Sequence, residues 1–319
     1  MAFDFAQAVN APFRMQPGLQ RLPPGAAQLT PNRLGSPHLA AKLEVLGSRP
    51  HSALMQRPGF DPTAALQAVA SHAAGEHPAA WSVDDARGWC ALGLGWRVDA
   101  TGEVGHCGAV SSPEVGDCLR AIAADWRQPA LLALAFQEDF AIVDGSNATL
   151  PWLAVALPSH WAPEAKVGRH FAEVHAPVAD NRLLLAAGEH LMRLVTRADR
   201  WQRFVWQITP HRELHHHPAH SPARHWPQDA SPEAVAARAW FRTERQTFIP
   251  VPSVRQAVFT IRVDNQPLTE AVTDPAHAAL LHAALESMSP AVLAYRDLAG
   301  VRDALLAWLS ARTAVPGLA

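Results

Sequence analysis

The sequence predicts an α+β fold built around an antiparallel sheet. Two long β-type segments, 240–248 and 256–264, support this class, and the second of them alternates between apolar and polar residues. Shorter β-type runs begin near residue 130 and are separated by turn residues such as Asp144-Gly145. The segment after residue 275 has apolar residues at helical spacing. Long adjacent strands and separate helices favour a hairpin-based sheet.

Composition limits the class of protein. The chain has 319 residues, of which 49% are hydrophobic and 18% are charged, as in globular proteins. At about 150 residues per domain, this length predicts one large domain or two ordinary ones. The formal net charge of -2 gives no electrostatic reason to expect nucleic acid or an anionic membrane as a partner.

The N-terminus and the cysteines predict a cytoplasmic protein. The first five residues carry Asp4, where a signal peptide would need basic residues and an apolar run. The apolar run 129–136 is far shorter than the about 20 residues that cross a bilayer. Cys90, Cys107 and Cys118 are odd in number and lack CxxC spacing, which argues against disulfides, zinc ribbons and iron-sulfur clusters.

The first part of the chain predicts few regular elements. Residues 1–80 are predicted to form an extended N-terminal wrap with short helices, near 39–46 and at 62–74, because proline and glycine are frequent there. Short strands are expected within 81–104, and a helix at 113–126, where apolar residues recur at helical spacing.

The middle of the chain predicts strands followed by helices. The β-type runs are 131–136, 141–143 and 149–157. Helices are predicted at 163–171 and at 181–198. The second has Asn181 as its N-cap. One face of that helix carries four small or apolar residues: Leu184, Gly188, Leu191 and Val195.

The last part completes the sheet. A strand is predicted at 203–208, before a loop at 209–232 that is rich in histidine and proline and is called the histidine-rich loop below. The hairpin 240–248 and 256–264 follows. Residues 81–274 therefore form the predicted core, and 275–319 a helical tail.

The strand 240–248 carries the most informative polar pattern. Alternation places four side chains on one face: Trp240, Arg242, Glu244 and Gln246. A solvated outer face would explain them, but the other face also carries polar residues and is no clearer core side. In a pocket, a carboxylate between arginines would hold a polar or cationic substrate.

Histidine offers the metal-binding candidates, since the chain has 17 of them. The histidine-rich loop contains six, without HExxH or interleaved cysteines, which favours a solvated loop over a metal site. His175 differs, because Pro177 fixes the backbone that follows it. Such a histidine could ligate a haem iron from one side, although a structural histidine explains this local pattern as well.

Phosphate-loop, nucleophile-elbow and dinucleotide fingerprints do not occur in the sequence. We therefore expect no nicotinamide reductant bound to this chain.

Several segments together resemble the alpha subunit of the haem-dependent oxidative N-demethylases. They are Pro12-Phe13-Arg14-Met15, Gln137-Glu138-Asp139, Val174-His175-Ala176-Pro177-Val178, Arg203-Phe204-Val205-Trp206, Arg242-Thr243-Glu244-Arg245-Gln246-Thr247 and Phe259-Thr260-Ile261-Arg262. They occur in the family's order over most of the chain, and the last two are the most specific. The chain departs from the family at Val205, where asparagine is usual, and in the composition of the histidine-rich loop.

The resemblance implies a PAS-like fold, a five-stranded antiparallel sheet with flanking helices, enlarged to hold haem b. It implies oxidative N-demethylation of a small secondary amine with dioxygen and release of formaldehyde. Electrons would come from a separate reductase that carries FMN and an iron-sulfur cluster. By the same resemblance, His175 is the axial iron ligand, and Arg203 and Glu244 are distal catalytic residues with Arg242 beside them.

Two other functions remain open from the sequence. A PAS-like sensor of haem or a small ligand would bind without turnover. A non-haem metalloprotein would use the histidine-rich loop.

Overall fold

The computed structural model describes residues 5–84 and 88–313, which form two antiparallel sheets surrounded by helices. Apart from two 3-10 turns, the helices are α1 (Phe5–Ala8), α2 (Pro37–Ser48), α3 (Pro50–Ala53), α4 (Thr63–Glu76), α5 (Pro113–Ala121), α6 (Ala124–Ala135), α7 (Phe171–His175), α8 (Arg182–Val195), α9 (Pro232–Arg238), α10 (Leu268–Ala271), α11 (Pro275–Glu286), α12 (Pro290–Tyr295) and α13 (Arg302–Thr313). The strands are β1 (Gln20–Arg21), β2 (Leu54–Gln56), β3 (Trp81–Asp84), β4 (Gly88–Ala91), β5 (Trp96–Val98), β6 (Val104–His106), β7 (Asp139–Asp144), β8 (Thr149–Ala154), β9 (Trp201–Thr209), β10 (Trp240–Val251) and β11 (Gln256–Pro267). The predicted α+β class is confirmed.

The larger sheet has seven antiparallel strands in the order β1-β9-β10-β11-β7-β8-β2. Its centre is the predicted hairpin, in which β10 and β11 pair from Trp240 opposite Pro267 to Val251 opposite Gln256. Arg255, with a left-handed backbone at φ 55°, reverses the chain between them. The resemblance implied five strands, and the difference is the two short edge strands β1 and β2, which come from the predicted N-terminal wrap.

The smaller sheet consists of β3, β4, β5 and β6 in chain order. A disulfide joins Cys90 in β4 to Cys107, 17 positions later and just after β6. Cys118 in α5 is free and buried. The expectation that the cysteines stay unpaired is therefore wrong for two of them. The neighbouring strands β4, β5 and β6 bring these two cysteines together in space. They are far apart in the sequence, so no short-spacing motif reveals the pairing.

The segment 131–136 is predicted as a strand, but residues 131–135 form the second half of α6 and only Phe136, its C-cap, is extended. A short apolar run is compatible with either a buried strand or a buried helix. Helix α6 contacts α2 and α5, the smaller sheet, and β2 and β8 of the larger sheet. Its apolar residues are buried on every side, so they show no helical stripe.

Two predicted helices have different bounds. The segment 113–126 is interrupted at Ile122 and Ala123, whose extended backbone separates α5 from α6. The segment 163–171 contains a 3-10 turn at Pro163–Ala165 and then leaves helical geometry, since Gly168 has a φ of 74°. The predicted helix 181–198 is present as α8, with the predicted apolar face buried.

Among the described residues, the three largest apolar cores hold these layers together. The first joins the smaller sheet with α4, α6 and the strands β7 and β8. The second packs the C-terminal helices α11 to α13 against Trp206 and Phe241 of the larger sheet. The third packs α7 and α8 against Phe248, and it carries the segment around His175.

Parts of the predicted wrap and tail, residues 1–4 and 314–319, lie outside the described residues, as do residues 85–87. This also applies to Asp4, on which the expectation about a signal peptide rests. Over the ranges that the structure describes, no helix combines the length and apolar character needed to cross a bilayer.

Candidate functional site

A cavity of about 450 Å³ lies between strands β9 and β10, the segment 159–166 and helices α7, α8 and α12. Its volume is within the range of small-molecule and cofactor sites. His175, Arg203, Arg242 and Glu244, the four site residues predicted from the sequence, all line it. The fold thus brings together residues from three separate segments of the chain.

The strand register explains why these side chains share a space. Alternation along β10 directs Arg242, Glu244 and Gln246 to the cavity. In the neighbouring strand, Arg203 lies opposite Gln246. The other face of β10 carries Phe241, which is buried in the second apolar core. The polar face of β10 is therefore a cavity wall instead of a solvated surface.

The Glu244 carboxylate is held by hydrogen bonds within the cavity. Ser159 Oγ donates to its Oε1, and Gln246 Nε2 donates to its Oε2 at 2.6 Å. Ser159 Oγ in turn accepts a hydrogen bond from Arg242 Nε at 2.9 Å. Burial lowers the pKa of Arg242 to about 10, which still leaves its guanidinium charged at neutral pH. A carboxylate and a buried cation are thus connected through one serine.

Sequence reasoning missed Ser159, because an isolated serine after a proline belongs to no motif. It also missed Lys166, Tyr295 and Arg296, which line the cavity from other segments. Gln246 is on the polar strand face identified from the sequence, but no role follows from alternation alone.

His175 ends the short helix α7, whose start is fixed by a capping box of His170 and Glu173. Its Nδ1 donates to Phe171 O at 2.9 Å, since a carbonyl can only accept, and Nε2 is left for a ligand. Asn181 is the N-cap residue of α8 as predicted, but its side chain makes no capping hydrogen bond, and its Nδ2 donates to His175 O at 3.0 Å. Burial lowers the pKa of His175 to about 4, so the imidazole is neutral at pH 7.

Positive side chains are in excess on the cavity walls. The cavity is lined by four positive side chains, Lys166, Arg203, Arg242 and Arg296. It is lined by only two carboxylates, those of Glu244 and Asp297. Burial lowers the pKa values of Lys166 and Arg203, while the charge of Glu244 acts in the opposite direction. Arg203 Nε is buried and has no hydrogen-bond partner among the residues described. The cavity is therefore suited to a group that carries negative charge.

The histidine-rich loop does not form one cluster. His211 lines the cavity, and ligand atoms of His211, Glu213 and His216 all lie within 4.8 Å of one another. His215 and His217 bond elsewhere, to a backbone carbonyl and to a glutamate of the segment 159–166. Only part of the loop thus adjoins the cavity.

A family model described as haem-dependent oxidative N-demethylase, alpha subunit-like, matches residues 38–306, which is most of the 319-residue chain. The chain belongs to this family. The resemblance inferred from the sequence motifs is thereby confirmed. Membership of this family relates the chain to haem-dependent oxidoreductases.

The residues of the cavity fit a haem group. His175 presents a neutral imidazole with one ring nitrogen not engaged by Phe171. The buried Arg203 Nε needs an acceptor, and haem propionates are acceptors with negative charge. Such a pairing also offsets the surplus of positive charge on the walls.

Proposed function

We propose that this member of the haem-dependent N-demethylase family removes a methyl group from a small secondary amine. One observation carries the proposal: a single cavity is lined by His175, Arg203, Arg242 and Glu244. The balanced reaction consumes the N-methyl amine, dioxygen, two electrons and two protons. It yields the demethylated amine, formaldehyde and water.

The proposed cofactor is haem b, held through His175 Nε2. Phe171 O and Asn181 fix the imidazole and its backbone from behind, which favours one ring orientation. Arg203 and Lys166 are the proposed partners for the propionates. When bound, haem supplies the iron that activates dioxygen. The central strands β8-β7-β11-β10-β9, with α7 and α8 packed nearby, support a PAS-like arrangement enlarged for this purpose.

Glu244 is the proposed binding group for the amine. Small secondary amines are protonated at neutral pH, and a carboxylate in a cavity attracts an ammonium group. Ser159 and Gln246 hold both oxygen atoms of the carboxylate, which restricts its rotation and leaves lone pairs for the substrate.

Arg242 and Arg203 complete the proposed catalytic set. Arg242 remains charged, and two hydrogen bonds through Ser159 connect it to Glu244, so it positions the serine that holds this carboxylate. Arg203, one strand away, can donate hydrogen bonds into the cavity from its buried guanidinium. Together, their positive charges would stabilise negative charge that develops in the cavity during the reaction.

Electrons would come from a separate reductase with FMN and an iron-sulfur cluster. The chain's three cysteines do not provide a four-thiolate cluster site. Dioxygen, the amine and this reductase are therefore the proposed partners, and the cytoplasm remains the proposed compartment.

The test is an absorption spectrum of the purified full chain, oxidised and dithionite-reduced, with and without added haemin. We expect a Soret band in the wild type, and loss or a strong shift of the band in His175→Ala. His190→Ala, at an exposed position of α8, is the matched control and should keep the wild-type spectrum. A wild type without a Soret band after reconstitution would refute the proposal. An unchanged spectrum of His175→Ala would assign the iron to another residue.

Turnover separates the proposed enzyme from the sensor. With an NADPH-dependent reductase of the stated type and a set of N-methyl amines, the haem-loaded wild type should release formaldehyde. Haem binding without formaldehyde from any amine would favour the PAS-like sensor.

A further inference from the structure

We propose that His211, Glu213 and His216 bind a divalent first-row transition-metal ion beside the cavity, at a site distinct from that of haem. Two imidazoles and one carboxylate form a donor set that such ions favour. One ligand atom from each residue lies within 4.8 Å of the other two. The three residues lie within six positions of one another in the sequence, so a single loop supplies the complete set.

Two unsatisfied ring nitrogens point to a ligand. His216 has no exposed surface, and its Nε2 is buried without a hydrogen-bond partner in the described part of the chain. The same holds for His211 Nδ1. Buried polar atoms are normally satisfied, because a buried donor or acceptor without a partner has lost its hydrogen bonds to water. A bound metal ion would satisfy both nitrogens at once.

His160 orients the central imidazole. His216 Nδ1 lies 3.2 Å from His160 Nε2, a hydrogen-bonding distance that fixes the plane of the His216 ring. Histidines that ligate metals usually bond a second group through the other ring nitrogen. His160 is thus a positioning residue, and it leaves His216 Nε2 for the metal.

Backbone hydrogen bonds hold the ligand loop in place. The His216 N–H donates to Pro158 O at 3.0 Å, and the His160 N–H donates to His216 O at 2.9 Å. At the other end, Asn265 Nδ2 donates to His211 O at 3.0 Å and to Glu213 O at 3.2 Å. The loop is therefore tied to the larger sheet and to the segment 159–166, and little ordering would be needed on metal binding.

Glu213 supplies the negative charge that a dication needs in this position. Arg224 orients its carboxylate, with Nε donating to Oε2 at 3.1 Å. A carboxylate has about four lone-pair sites, so this pairing still leaves some for a metal. The Glu213 charge also offsets the nearby guanidinium of Arg242, whose Nη1 donates to Glu213 O at 3.3 Å.

The test is Zn²⁺ binding to the full chain after removal of metals with a chelator, followed by calorimetry. Haem is determined separately as its pyridine complex, so porphyrin iron is not counted. We expect one equivalent of Zn²⁺ in the wild type, with or without haem. Loss of a residue that only hydrogen-bonds a metal ligand weakens metal binding by about 10–100-fold. His211→Ala loses a ligand itself, so it should weaken Zn²⁺ binding by at least about 100-fold.

The matched control is His225→Ala, an exposed histidine of the same loop, which should bind Zn²⁺ as the wild type does. Glu213→Gln is the second ligand variant, because His216→Ala removes a fully buried side chain and would confuse loss of metal binding with loss of stability. Co²⁺ added to haem-free protein should give visible absorption bands from coordination, and these should be absent in His211→Ala. Failure of the wild type to bind Zn²⁺, or equal binding by His211→Ala and His225→Ala, would overturn the proposal. Loss of the Soret band but not of Zn²⁺ binding in His211→Ala would overturn it too.

Discussion

At the residue scale, hydrogen bonds to neighbouring residues fix the cavity side chains that a ligand would contact. His175 uses Nδ1 on Phe171 O, and Glu244 is held at its two oxygens by Ser159 and Gln246. Such support fixes each side chain and leaves Nε2 of His175 and lone pairs of Glu244 for a ligand. The geometry for binding is therefore present before any ligand arrives.

Glu244→Gln should keep haem but weaken amine binding. The variant retains the size and the cavity position of the side chain and removes its charge. A hydrogen bond to a charged group contributes about 1.5–3 kcal/mol, so the apparent Kd for the amine should rise by about 10–100-fold. The measurement is titration of the Soret band with an N-methyl amine. Glu189→Gln, exposed on α8, is the control, and equal amine affinity in the two variants would rule out Glu244 as the binding group.

Motifs located some site residues and not others. The polar face of β10 is a local pattern that singled out Arg242 and Glu244, whereas the family resemblance selected His175, and all three residues line the cavity. Ser159 and Asn181 act through contacts made only after folding. Asn181 occupies the N-cap position that its local pattern predicts, but the pattern does not show that its side chain bonds the His175 turn.

At the element scale, helix α8 packs closely on α7. A Cβ at Gly188 would come within 2.7 Å of the Phe171 ring. Gly188→Ala should therefore displace Phe171 and with it the carbonyl that holds His175, at a cost of about 1–3 kcal/mol. We expect a lower melting temperature and weaker haem binding, measured by thermal unfolding and haemin titration.

Gly47→Ala is the matched control for this substitution. Gly47 lies in α2, and a Cβ there meets nothing within 4 Å. This variant should gain up to about 1 kcal/mol from helix propensity and leave haem binding unchanged. Similar haem affinity in both variants would show that α7 tolerates the shift.

Glu138, immediately before β7, should make stability depend on pH. Burial raises its pKa to about 7, and its Oε1 has no hydrogen-bond partner among the described residues. The folded state therefore favours the protonated carboxyl, and this contribution is lost as pH rises from about 4.5 through 7. At 1.36 kcal/mol per unit, the loss is up to about 3 kcal/mol.

Glu138→Gln removes this titration. Relative to the wild type, its free energy of unfolding should rise between about pH 5 and pH 7 and then level off, as measured by urea denaturation. Glu103→Gln, at an exposed position, should follow the wild-type pH profile. Parallel profiles for the wild type and Glu138→Gln would mean that Glu138 stays ionised in the folded protein.

Elements with a clear period were predictable from the sequence. The apolar face of α8 is its buried side, so period and fold agree there. The alternation in β11 correctly predicts a strand, although residues of both of its faces are buried. The segment 131–136 is buried on every side and loses its period, and 163–171 depends on the backbone at Gly168. In both places tertiary surroundings decide the local structure.

At the scale of the whole molecule, the disulfide should stabilise the smaller sheet, which belongs to the largest apolar core. A disulfide between residues 17 positions apart stabilises the folded state by about 3 kcal/mol, because it restricts the unfolded chain. Reductant should lower the melting temperature of the wild type but not that of a Cys90→Ser, Cys107→Ser double variant. Equal melting of the wild type with and without reductant would show that the two thiols are unpaired in solution.

The disulfide also bears on the compartment. Stable disulfides are rare in the cytosol, so the predicted cytoplasmic location calls for a direct measurement. Thiol titration of the unfolded protein, prepared from cells without reductant, should count Cys118 alone. Cells that keep all three cysteines reduced would give three thiols.

The two sides of the cavity differ in how they are anchored. Arg242 and Glu244 lie on β10, a twelve-residue strand paired along its length with β11 and for nine residues with β9. His175 lies on the five-residue helix α7, held by one small apolar core. Amide hydrogens of β10 should consequently exchange with deuterium only on near-global opening, while those of α7 exchange through local fluctuations. The helix is thus the expected gate through which a group as large as a porphyrin enters, and binding should slow its exchange most.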